Sequence, residues 1–111
     1  MLIRIWKVSL APGKAEELEA FANTISLPMF KAQPGCLAVF FTRTASECAT
    51  VTIWESTQSI EAMECSSQYQ HVVHQIERSG ILQDNHVTEV FSVYGGFATE
   101  GLFNLLSTAG G

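Results

Sequence analysis

The nine residues LIRIWKVSL, at positions 2–10, constrain the fold more than any other stretch. They alternate as a strand does, with Leu2, Arg4, Trp6, Val8 and Leu10 on one side and Ile3, Ile5, Lys7 and Ser9 on the other. Both sides are largely apolar, so this strand needs cover on both faces. Pro12-Gly13 breaks it. A helical period follows from about Lys14 to Leu27, with Leu18, Phe21, Ala22 and Ile25 forming one stripe. Glu16, Glu17 and Glu19 fall in its first turns, where the helix dipole favours acids, and Pro28 is expected to end it or kink it.

The remaining elements follow from the same two periods. Gln33-Pro34-Gly35 is a turn, and Leu37–Thr44 and Ala49–Glu55 make a hairpin around Ala45–Glu47. A short helix is expected over Gln58–Cys65. Another starts at Ser67, which has capping-box spacing to Gln70, and stops at Gly80. His86–Tyr94 alternates as a fourth strand, with Val87, Glu89, Phe91 and Val93 on one side. The order β-α-β-β-α-β predicts an α+β, ferredoxin-like protomer whose four-stranded antiparallel sheet carries helices on one face. Because its strands are apolar on both sides, the open face predicts a homodimer through the sheet, a dimeric α+β barrel. Residues 95–111 form a Gly-rich tail with a short helix expected at about Glu100–Leu106, packed on the barrel or on the partner.

Charge and composition exclude several function classes. A chain of 111 residues has the length of one domain, and its formal charge of -5 with no basic run argues against nucleic acid or an anionic membrane as partner. No apolar run reaches the roughly 18 residues of a membrane span, and the opening residues lack a signal peptide's apolar region. The expected location is the cytoplasm. The three cysteines, Cys36, Cys48 and Cys65, are spaced neither for metal nor for redox exchange and read as reduced thiols.

The segments IRIWKVSLAPGKAEELEAF, LPMFKAQPGCLAVFF and VTIWESTQSIEAM together resemble the antibiotic biosynthesis monooxygenase family over residues 1–94. The markers are a first strand closed by P-G-K, a P-G turn before the second strand, and W-E-S leading into the second helix. The resemblance implies a dimeric α+β barrel. It also implies one of three functions: oxidation of an aromatic or quinol compound without a cofactor, haem degradation, or small-molecule binding without turnover.

The haem branch places a second Trp and an axial His after the strand Trp, and an Asn on the first strand. Those positions hold Met63 and Val73 here, and the first Asn in the chain is Asn23. The paired histidines of QHVVHQ do not compensate. At about 100° per residue, Tyr69, Val72, Val73 and Ile76 form the core stripe, and His71 and His74 point away from it with Arg78. No metal or other cofactor is therefore predicted. A cofactor-free oxygenase would line an apolar pocket with Trp6, Phe21, Ile25, Phe41, Trp54, Met63 and Tyr69, each of which is equally a packing residue. The polar candidates are Arg4, Asn23 and His86. Arg4, charged among apolar neighbours, needs either an anionic ligand or a carboxylate such as Glu89 or Glu55. The ligand would be small and apolar or aromatic.

Overall fold

The structure, a computed structural model, describes residues 1–108, without the side chains of the last two. Its strands β1 (Leu2–Leu10), β2 (Cys36–Arg43), β3 (Glu47–Trp54) and β4 (Leu82–Ser92) form one antiparallel sheet in the order β2-β3-β1-β4. Helices α1 (Ala15–Phe21), α2 (Leu27–Lys31), α3 (Thr57–Cys65) and α4 (Ser67–Arg78) supply the crossovers, and α5 (Leu102–Thr108) follows the sheet. This is the α+β, ferredoxin-like arrangement expected from the alternation of periods. β1 keeps its two-sided character: Arg4, Trp6, Val8 and Leu10 are buried under the helices, and Ile3, Ile5, Lys7 and Ser9 are half-buried on the open face.

Most boundaries move for identifiable local reasons. Pro28 does not end the first helix. A five-residue π-helical turn, Ala22–Ser26, lies ahead of it, closed by a hydrogen bond from the Leu27 N–H to the Ala22 carbonyl. The helical path stays continuous through that wider turn, with Ser26 and Leu27 both right-handed helical, and Pro28 sits at the start of α2. The hairpin is tighter than expected. Thr44 Oγ1 accepts from the Ser46 and Glu47 amides, so β3 starts at Glu47. The cap of α4 is Ser66, whose hydroxyl accepts from the Tyr69 amide at 3.1 Å, and Ser67 is already helical.

The largest shift is in β4, which begins at Leu82 rather than His86. Leu10 and Ser9 pair with Leu82 and Gln83, and Lys7 pairs with Val87. Asp84, Asn85 and His86 therefore bulge opposite Val8, and Asp84 takes a φ of 63°. A bulge breaks the period of two, which hides the strand's first residues from a periodicity reading. The tail helix α5 starts two residues later than expected and leaves Phe103 and Leu105 exposed; residues 109–111 lie outside the described part.

Two apolar clusters hold the helices on the sheet. One gathers Trp6, Val8, Leu10, Leu18, Phe21, Cys48, Ile76 and Ile81; the other gathers Met29, Phe30, Trp54, Ile60 and Met63. Val72 packs against both. Gly35 allows the start of β2 to meet α3. Its φ is +83°, and a Cβ there would collide with the Ser59 side chain. Gly13 has a similar φ of +75° but open space around it. Gly35→Ala should therefore cost about 2 kcal/mol or more, against about 1 kcal/mol for Gly13→Ala, compared by urea-unfolding midpoints.

Candidate active site

A cavity of about 60 Å³ lies between the two clusters, walled by the sheet on one side and by α1, α2 and α4 on the other. A cavity that takes up benzene measures about 150 Å³, so a ring enters this one only as its walls move apart. Its wall is almost entirely apolar: Leu18, Phe21, Met29, Phe30, Phe41, Val72 and Ile76 dominate. The polar exceptions include Arg4, Ser26, Thr50 and Tyr69.

Arg4 is the strongest of these. It is only 2% exposed, in the middle of β1, opposite Thr52 on β3. Its Nε donates to Glu64 Oε2 at 3.0 Å, and its Nη2 donates to the Tyr69 hydroxyl at 2.8 Å. The guanidinium carbon also lies 5.3 Å from the centre of the Tyr69 ring. A buried cation needs this much company. The carboxylate is Glu64 of α3, not Glu89 or Glu55. Glu89 pairs opposite Ile5 and so belongs to the open face, and Glu55 follows the last residue of β3 and is exposed. Because the Tyr69 oxygen accepts from Arg4, its own proton is free to be donated, and no acceptor for it exists among the described residues.

The other expected residues divide. Trp6, Phe21, Phe41 and Tyr69 line the cavity with Arg4. Trp54 and Met63 do not; they are 0% and 1% exposed inside the second cluster, and Trp54 Nε1 donates to Thr52 Oγ1 at 2.7 Å. Ile25 packs against the first cluster outside the cavity wall. Asn23 is exposed on the π-helical turn and away from the wall. His86 is exposed at the β4 bulge, where its ring stacks on Trp6 at 5.1 Å between centroids. His71 and His74 are exposed, as their helical positions predict. No group of three or more metal-ligating side chains occurs among the described residues.

Glu64 and Ser26 were missed. Ser26 is buried and continues the Leu18, Ala22 spacing of four along the helix stripe, a signal that was available. Glu64 carried no signal, because its partnership with Arg4 spans 60 residues. Trp6 holds the one oddity: its Nε1–H is sealed from solvent and has no acceptor among the described residues. An N–H left this way costs about 1–3 kcal/mol.

With the geometry in place, comparison with known proteins places the chain. Residues 1–75 match the model of the family described as antibiotic biosynthesis monooxygenase. The chain belongs to that family. No curated protein matches it. Among solved structures, a protein of unknown function from Nitrosomonas europaea, NE2512, superposes with a TM-score of 0.74 at 16% identity, covering 90% of this chain and 95% of that one. Rv0793 from Mycobacterium tuberculosis gives 0.70 at 16% identity, over 87% and 98%. A variant of SnoaB, a cofactor-independent oxygenase from Streptomyces nogalater, gives 0.69 at 12% identity, over 88% and 97%. Identities this low establish the shared fold alone.

Cys48, in the cavity wall, has its thiol pushed up from 9.0 to about 11, chiefly by burial and then by the Glu47 carboxylate. The folded protein thus keeps a proton that the unfolded chain gives up near pH 9. Stability should fall as pH rises from about 9 to about 11, by up to 1.4 kcal/mol per pH unit from this group. Urea midpoints across that range should show a shallower decline in Cys48→Ala, since the other titrating groups are common to both proteins.

Proposed function

We propose that this protein is a cofactor-independent monooxygenase acting on a small aromatic or quinol compound bound in the cavity beside Arg4. The observation that carries the reading is a buried guanidinium, joined to a tyrosine hydroxyl, in the wall of an otherwise apolar cavity. Family membership supports it, and a neighbour of the same fold is described as a cofactor-independent oxygenase.

The chemistry asks little of the protein beyond placement and charge. A phenol bound with its oxygen toward Tyr69 and Arg4 ionises more readily, because the cation and the hydroxyl donor stabilise the phenolate. The electron-rich ring carbon then adds dioxygen, with the substrate supplying the electrons. The hydroperoxide formed loses water to leave a ketone, so one oxygen atom enters the product and the other leaves as water. The apolar wall orients the ring and keeps water from the intermediate. Glu64 holds the guanidinium in position. Asn23 stands too exposed to share this work, and His86 reaches the site only through its stack on Trp6.

A second reading is a dimer that is structural, or that binds such compounds without turning them over, and both the pairing of Arg4 within the protein and the small volume of the cavity favour it. Oxygen uptake separates the two. With a naphthol or hydroquinone and with metals and flavins removed, the wild type should consume oxygen and release the ketone. Arg4→Met should lower kcat/KM by at least about tenfold, equivalent to roughly 1.4 kcal/mol of transition-state stabilisation. Binding without oxygen uptake would establish the second reading.

The open face of the sheet supports a homodimer in either case. Ile3, Ile5, Phe40, Val51, Ile53 and Phe91 share it, an apolar surface on the side of the sheet away from α1–α4. Sedimentation should give twice the 12.1 kDa of one chain. Ile5→Lys, at the centre of the face, should shift the protein to a monomer.

A further inference from the structure

The charge on the cavity wall is lopsided. Among the residues that line the cavity, Arg4 alone carries a formal charge, and no carboxylate belongs to the wall. Glu64 meets the guanidinium at Nε from outside that wall, and its side chain is 39% exposed, so solvent screens its charge. The buried cation has no such screening. We infer that the cavity binds a small monovalent anion, of the size of formate or azide, seated against Arg4 Nη1 and the Tyr69 hydroxyl.

The unused donors converge on that position. Arg4 spends Nε on Glu64 and Nη2 on Tyr69, which leaves Nη1 without a partner among the described residues. Unlike the Trp6 N–H, Nη1 is not sealed. It shares its carbon with Nη2, so it lies beside the Tyr69 oxygen, whose own proton also lacks an acceptor. Two donors side by side match the two oxygens of a carboxylate. Ser26 and Thr50 stand in the same wall, and their hydroxyls, without partners among the described residues, are free to turn a proton toward the ion. Water would satisfy these donors but leave the charge unanswered.

Volume and hydration set the class of ion. If about 150 Å³ takes up a benzene ring, about 60 Å³ suits roughly two or three heavy atoms with the walls where they stand. The rest of the wall is apolar, so an ion entering it gives up its hydration for a few hydrogen bonds. A monoanion meets that cost where a dianion such as sulfate does not.

Carbon-13-labelled formate is the probe, and its line width reports binding even when binding is weak. Wild type should broaden the line, excess unlabelled azide should restore it, and formamide, the neutral analogue, should not. Arg4→Met should weaken formate binding by about tenfold or more. Should that variant fail to fold, Ala22→Val decides: it fills the cavity from the helix side, leaves the partners of Arg4 in place, and should weaken formate binding to a similar degree. No broadening by wild type, displacement by formamide as effective as by azide, or full binding in Ala22→Val would each overturn the inference. It goes beyond the oxygenase reading and does not depend on turnover. Formate binding by a protein that takes up no oxygen supports it, and oxygen uptake by a protein that ignores formate counts against it alone.

Discussion

A single buried cation organises the interior. Arg4 sits on the central strand pair at 2% exposure, where an unpaired guanidinium would be untenable. Its needs bind three elements together: β1 supplies the charge, α3 supplies Glu64, and α4 supplies Tyr69. Burying an ion pair rarely stabilises a fold relative to an apolar substitute, so this arrangement is better understood as a positioning device. It fixes the crossing of α3 and α4 over the sheet. The cavity lies beside it, between the two apolar clusters that Val72 bridges.

The asymmetry of the sheet follows from the same crossing. Helices cover β1 and β3, whose helix-facing residues are buried except for half-buried Leu2 and Thr50, but leave β4 exposed from Gln83 to Ser92. The opposite face is largely apolar and lies on the side away from α1, α2, α3 and α4. At the β4 edge, the bulge of Asp84, Asn85 and His86 turns a histidine ring onto Trp6 instead of continuing the ladder. Bulges serve this purpose elsewhere: an extra residue re-aims a side chain that regular pairing would place differently.

Local physics accounts for which parts of this were legible beforehand. The alternation in β1 and the stripe Leu18, Phe21, Ala22 and Ile25 each reflect a period that burial imposes directly; in the stripe only Ile25 is half-buried. His71 and His74 could be excluded as core ligands because helical geometry alone puts them opposite Val72 and Val73. Boundaries failed where a short-range bond competed with the period: the π-helical turn before Pro28, the Ser66 cap, the bulge at Asp84. Cavity-lining residues are hard to read locally for a different reason. Trp54 and Tyr69 are both large aromatics on buried faces, and nothing in their local sequence separates a cavity wall from a filled core.

The sequence by itself determined the element order, the buried face of each principal element, the two-sided apolar sheet and the oddity of an arginine among apolar neighbours. These are properties of periodicity and composition, carried by residues within a few positions of one another. Only the tertiary structure decided that Arg4 answers to Glu64 and Tyr69, that Trp54 and Met63 are packing while Trp6 faces the cavity, and that the Trp6 N–H lacks a partner. Those facts depend on the angle at which helices cross a sheet. Contacts across 60 or more residues set that angle, and no local pattern encodes them.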